Sequence, residues 1–378
     1  MVHQPGPRCA VYGAGPTGLG LAVELAERGA QVRVVAPEPR APWPASYGAF
    51  AEMLPQKYHA ASLRHYRIAH IVRSDGQRIA LHAPYLRLGT ALLQELLTER
   101  AERLGVSFEH GRFEREQLDA SEVSFDATGA QVRDRSSSPR YQSAYGMWAQ
   151  VKGMDLSSDE MILLDFSGPE QVDPPSFLYA LEERPGRVFL QETVLASAQP
   201  FSFAQLKERL SSRLDAAGLT IESELGEERC LIPMGAGLIE RGTGTVVCFG
   251  ARAGMTQPAS GYQLARSLRL ATRVAHAVTA PNTATAIERA ASGRAAVWTR
   301  GERLLWTILD RGASVLTKMN QSELATFMSG FASQDPARFV RFIDGSSPLS
   351  EVARAMAQTY RACPPEIRRR LWGVLQSS

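Results

Sequence analysis

Cysteine is scarce: four in 378 residues, at positions 9, 230, 248 and 363, with no Cys-x-x-Cys pair. That spacing excludes a disulfide framework and a zinc site on paired cysteines, so buried free thiols in a reducing compartment are expected. Charge of one sign is lacking as well. Forty-two basic residues oppose 39 acidic ones for a formal net charge of +3, which leaves no footprint for nucleic acid. No apolar run approaches membrane-spanning length. Residues 1–8 form a short polar lead-in, so no secretory leader is expected and a cytoplasmic location is. With 44% apolar and 21% charged residues the composition is that of a folded protein, long enough for two joined domains.

What is present begins at Cys9. A short apolar run stops at Gly13, and a helical pattern (Leu19, Leu21, Ala22, Leu25) starts directly after Gly18. Gly13, Gly15 and Gly18 thus form Gly-x-Gly-x-x-Gly between strand and helix. In that setting the first glycine makes the turn, the second admits a pyrophosphate and the third lets helix and strand pack. Residues 31–35 are predicted as the next strand. The acid that normally follows it to hold a ribose is missing, since Ala36 stands there, and Glu38 is the nearest carboxylate. Residues 66–82 alternate as strand material around a Ser74-Asp75-Gly76 turn, and leucines 92, 93, 96, 97 and 104 mark an amphipathic helix. Val123–Asp126 is predicted as a strand running into Ala127-Thr128-Gly129. Residues 177–196 read as a hairpin turning at Pro185-Gly186, and 203–217 as an amphipathic helix ended by Gly218. A second strand–glycine turn–helix unit spans 246–263 and carries Gly250, Gly254, Pro258 and Gly261, its helix N-terminus suited to an electronegative group. The remainder is helical. No metal-ligating cluster is expected.

Several segments together resemble the flavin-dependent lycopene cyclases of plants and bacteria. They are the proline- and aromatic-rich loop 40–50 ending in Tyr47-Gly48, Pro84-Tyr85-Leu86-Arg87, Tyr141-Gln142-Ser143-Ala144-Tyr145-Gly146, Phe189-Leu190-Gln191-Glu192-Thr193 and Ile232-Pro233-Met234-Gly235. The resemblance covers nearly the whole chain. It implies an α/β fold: a Rossmann-type FAD-binding domain of the two-dinucleotide-domain flavoprotein kind (1–140, completed by 230–285), an inserted mixed β-sheet substrate domain (141–229) and a helical C-terminal region (286–378). It implies FAD, active when reduced and with NAD(P)H as reductant, held by Gly13, Gly15, Gly18, Glu38, Arg87, Gly129, Gly250, Gly254, Pro258 and Gly261.

The expected activity is redox-neutral, proton-initiated cyclisation or isomerisation of a hydrophobic polyene or prenyl chain. A flavin-dependent monooxygenase or oxidoreductase on a hydrophobic substrate is the alternative. The chain departs from the family where chemistry is expected. Gln191 stands where the cyclases carry the glutamate regarded as the proton donor, which leaves Glu192 and Asp165 as candidate acids beside Gln191 itself. Adjacent strand residues face opposite sides, so Glu192 is not a direct substitute. Gln150 and Gln257 also replace ionisable residues, and all three glutamines are expected in one pocket. The basic, tryptophan-bearing segment 365–372 extends the expectation to a peripheral membrane contact.

Overall fold

A computed structural model describes residues 6–131, 139–154, 156–168, 172–281, 285–333, 335–363, 365–366 and 368–369. The apolar run after Arg8 is the central strand of a five-stranded parallel sheet. In spatial order that sheet runs Val246–Cys248, Val123–Asp126, Arg8–Tyr12, Gln31–Ala36 and Ser107–His110. Central parallel strands need apolar residues on both faces, and Cys9, Ala10, Val11, Val34 and Phe125 are all buried there. The glycine loop leads into the helix Pro16–Glu27, whose first turn holds no acidic residue and whose start is capped by no side chain. Its apolar face packs on the helix Leu264–Val278, which follows the second glycine turn.

A seven-stranded mixed sheet forms the second layer. Its order is Thr220–Met234, Arg140–Lys152, Arg187–Ser197, Ser176–Arg184, Glu160–Asp165, Ile68–Val72 and Arg78–Leu81. The expected boundary at residue 140 is therefore crossed, because Ile68–Val72 pairs in parallel with Glu160–Asp165 and brings its hairpin partner along. Period-2 patterning identified these strands and could not say which sheet they would join. A three-stranded sheet, Tyr47–Phe50, Tyr85–Leu88 and Ser62–Tyr66, bridges the layers. The helix Phe203–Ala216 covers one face of the seven-stranded sheet, burying Leu206, Leu210 and Leu214 against Leu190 and Val194. The opposite face looks toward the glycine turns.

Helices from Ala286 onward close the molecule. Three of them, starting at Ala286, Arg300 and Gln321, carry full capping boxes, so each begin is fixed locally by Thr285, Thr299 and Asn320 with a glutamate three residues on. No helix among the described residues is long and apolar enough to cross a membrane. Half of 365–372, including Trp372, lies outside the described residues, and with it the tryptophan on which the expected membrane contact rests. Three cysteines are buried and Cys230 is half-buried, all of them free.

Candidate functional site

The glycine loop sits at the carboxyl edge of the parallel sheet. Gly13 adopts φ +110°, and a Cβ there would lie 2.4 Å from the Ala127 carbonyl oxygen. A Cβ on Gly18 would lie 2.1 Å from the Gly13 carbonyl oxygen. Gly15 differs: no atom lies within 4 Å of its Cβ position. Packing thus requires the first and third glycines, and the second faces open space at an uncapped helix N-terminus, which is where a pyrophosphate would be received. Gly129, at φ +95°, follows the Asp126–Thr128 turn beside this loop.

The second glycine turn meets the first. A Cβ on Gly250 would lie 2.5 Å from Thr17 Cγ2, and Gln263 Nε2 donates to Thr17 Oγ1 at 3.2 Å. Arg252 of this turn reaches Asp126 at 2.8 Å and also Glu240, a buried network that ties the turn to the strand beneath. Gly261 approaches Gln142 so closely that a Cβ would lie 2.6 Å from its Oε1. Gly254 and Pro258 serve the turn from behind: the Gly254 carbonyl accepts from Trp306 Nε1, and Pro258 is buried. Glu38 is exposed beyond Pro37 and is not among the residues that line the cavity.

From the Gly261 turn a cavity of about 680 Å³ runs along the seven-stranded sheet. Its walls are mainly apolar, with Leu163, Leu181 and Leu195 and the rings of Phe177, Tyr179 and Phe189 on the sheet face. Tyr179 and Tyr262 each donate to the Tyr85 hydroxyl, at 3.4 and 3.3 Å, so three phenols converge on one point. Burial raises all three phenols above the usual tyrosine range. Burial also pushes the Cys230 thiol, in the wall, up to about 11, which leaves it no nucleophile near neutral pH.

Strand alternation decides which chemical groups reach this space. On Arg187–Ser197, Phe189, Gln191, Thr193 and Leu195 face the cavity. Glu192 faces the other way. Its carboxylate takes Arg213 in a two-point pair at 2.8 and 3.0 Å and accepts from Ser176 Oγ at 2.6 Å, fully buried under the helix Phe203–Ala216. Asp165 belongs with that group: it accepts from the Ser167 backbone at 2.7 Å and interacts with Arg213 and Glu192, while burial holds its carboxyl above the usual range. Both carboxylates expected as acids are therefore separated from the cavity by the sheet. Gln191 alone of the three candidates lines it.

The three glutamines are not in one pocket either. Gln150 is exposed and bonds Ser223 at the end of the sheet. Gln257 is fully buried behind the second turn, donating to the Phe342 carbonyl at 2.9 Å and accepting from the Ser260 backbone at 2.8 Å.

Two charged residues line the cavity among those described, Arg87 and Glu228. Arg87 is buried, donates to Ser46 Oγ at 3.1 Å and lies 5.2 Å from the Trp148 ring centre. Glu228 accepts the Ser46 backbone N–H at 3.1 Å on both oxygens. Nothing in the sequence marked Glu228, because Glu227-Glu228-Arg229 reads as a solvated charge run. Alternation sorts it: Glu227 turns to Lys207 and Tyr145 on the helix side, and Glu228 turns to the cavity. The phenol cluster was hidden for another reason, since its members come from three distant segments.

Comparison with known proteins follows the same lines. Residues 9–368 match the family described as lycopene cyclase protein. A lycopene beta cyclase of Synechococcus elongatus is 29% identical over 97% of this chain and 95% of its own length. A neoxanthin synthase of Solanum tuberosum is also 29% identical, over 91% of this chain and 75% of its own. Among solved structures, a geranylgeranyl bacteriochlorophyll reductase-like protein of Thermoplasma acidophilum superposes with TM-score 0.68 at 12% identity, over 98% of this chain and 99% of its own. A flavin-dependent brominase superposes with TM-score 0.63 at 12% identity, over 94% and 98%. At such identities the structures show the fold alone, an α/β flavoprotein fold with an inserted mixed sheet. The family match spans nearly the whole chain: this protein belongs to the lycopene cyclase family.

Proposed function

We propose that the chain is an FAD-dependent, redox-neutral cyclase or isomerase of a polyene or prenyl chain. The observation that carries this is the cavity: mainly apolar and aromatic, continuous with the Gly261 turn, and lined by a single carboxylate and a single guanidinium among the described residues. The donor set fits FAD. Open space at Gly15 and the uncapped helix N-terminus of Pro16–Glu27 suit the pyrophosphate, and the Thr17–Gln263 bond carries the path on to the Gly261 turn at the cavity mouth. Gly13, Gly18, Gly129 and Gly250 shape that path, Gly254 and Pro258 support it, and Arg87 lies farther along the cavity wall.

Ring closure of a polyene adds a proton to one alkene carbon, joins a neighbouring double bond to the resulting cation, and removes a proton beside the new centre. Atoms and electrons balance without net oxidation. Bound and reduced, the flavin would supply an electron-rich ring beside the developing positive charge, with NAD(P)H needed only in catalytic amount. The chain's residues do the rest. Leucines exclude water, the faces of Tyr85, Tyr179 and Phe189 attract a cation, and their geometry folds the chain for closure.

Gln191 hydrogen-bonds but donates no proton at a useful pKa. Another acid in the cavity, or a substrate that needs less acid, must therefore take its place, and a relative of equal identity is named for a different product. Purified protein soaked in FAD should turn yellow and retain the cofactor through gel filtration. With reductant held at trace level, product should keep forming after that reductant is spent. Protein that stays colourless would overturn the FAD assignment, and product that tracks NAD(P)H and oxygen one for one would favour the monooxygenase alternative.

A further inference from the structure

Glu228 lies on Thr220–Met234, and its register partner on the adjacent strand is Gly146. Gly146 in turn pairs with Gln191 on its other side. Gln191, Gly146 and Glu228 thus form one row across three strands, and the two long side chains stand on the cavity face with a glycine between them. A Cβ on Gly146 would lie 3.4 Å from Gln191 Nε2, so the glutamine leans over the glycine. Two strand spacings separate the two backbones, roughly 10 Å, which two extended side chains can span from either end. No described ion pair neutralises Glu228; Ser46 N–H holds it from one side only.

We propose that Glu228 is the catalytic acid–base of this site, the proton-exchanging group displaced by two strands along the row from 191. The assignment rests on the cyclase reading above. Glu228 in its protonated form gives its proton to one alkene carbon of the substrate. The π electrons of a neighbouring double bond then form the ring bond. The carboxylate so produced takes a proton from the carbon beside the new cation, whose C–H electrons become the ring double bond. Glu228 ends as it began, and no oxidant or reductant is consumed. Throughout, the carboxylate opposes the positive charge in an apolar space, where little else screens it. Arg87, linked through Ser46, holds the loop that positions Glu228, and its own charge is directed to Glu183 at 3.9 Å and the Trp148 ring.

The test uses FAD-loaded protein in wild-type, Glu228→Gln and Glu228→Gln/Gln191→Glu forms, with bound FAD absorbance and melting temperature as checks on folding. In the first arm the probe is N,N-dimethylgeranylamine, a cationic prenyl chain, against its neutral carbon isostere, read by perturbation of the flavin spectrum. Wild type should prefer the amine at least tenfold, E228Q should lose that preference, and the double variant should regain it. An amine preference unchanged in E228Q overturns the proposal. In the second arm, reduced protein is given lycopene in heavy water. General acid–base groups contribute on the order of 100-fold or more, so E228Q should slow ring formation by at least that factor and the double variant should recover part of it. One deuterium per ring should appear in the product. Ring formation in E228Q at the wild-type rate overturns the proposal. Wild type that prefers the amine but closes no ring counts against the proposed function, while the first arm still decides the placement of Glu228.

Discussion

Gly15 and Gly18 share one motif, yet a side chain would act on them in different ways. Gly15 has φ −72° and ψ 173°, ordinary extended backbone, and empty space where its Cβ would go. Gly15→Val should therefore fold with the stability of the cofactor-free parent and lose FAD, whereas Gly18→Val should fail to fold against the Gly13 carbonyl. Melting curves with and without FAD separate the two; a destabilised Gly15→Val that still binds FAD would contradict this. Glu192 has a structural part to play. Removing one partner of a buried pair typically costs about 3–5 kcal/mol, so Glu192→Ala should lower stability on that scale by stranding Arg213. Urea denaturation checks it, and an unchanged midpoint would show that the pair does not form. Asp165 gives the pH signature. Its folded-state pKa is raised by burial, against the lowering from Ser167, so the folded state holds the proton more tightly than the unfolded chain. Its contribution to stability is fully present below the ordinary aspartate pKa and is lost as pH rises through the raised one. Asp165→Asn should flatten that fall and leave stability near pH 7 equal or higher, measured as melting temperature against pH.

At the scale of elements, the second glycine turn depends on a helix far along the chain. Gln257 joins the turn to the carbonyl of Phe342 in the helix Pro336–Asp344, and Ser260 Oγ donates to Ile343 at 2.6 Å. Gln257→Ala would leave buried groups unpaired at about 1–3 kcal/mol each. Faster hydrogen exchange should then appear in 257–262 and at the end of that helix, with quicker loss of FAD; exchange unchanged in both places would mean the tether is not made. The strand–loop–helix units at 9–27 and 246–278 were legible in sequence because glycine spacing and period carry backbone information directly. So were the hairpin turning at Gly186 and the helix ending at Gly218, both glycines with positive φ. Facing was legible for Glu192, since alternation follows from the strand alone. Which strand lies beside which was not, and that concealed Glu228: its neighbour across Gly146 is set by sheet register, 37 residues on from Gln191 in sequence. The three glutamines show the reverse error, in which shared chemistry in the sequence suggested a shared pocket that the fold does not make.

Across the whole molecule, the turns that follow strands of the parallel sheet, the mixed sheet and the helices after Ala286 meet around one cavity. Cofactor and substrate would then be enclosed by different layers of the same chain. A ligand that binds only the folded form stabilises it by about 2.7 kcal/mol at a hundred times its Kd, so FAD in that excess should raise the melting temperature of the whole chain in one transition. Separate transitions, one indifferent to FAD, would contradict a shared core. The central claim is that this cavity rearranges a polyene without net redox change. The most direct test is the mass of the product against that of the substrate in ordinary water, with reduced FAD-loaded protein and a panel of acyclic polyenes and prenyl chains. An isomer of unchanged mass is the expected result. A product heavier by one oxygen atom, or lighter by two hydrogens, would contradict it.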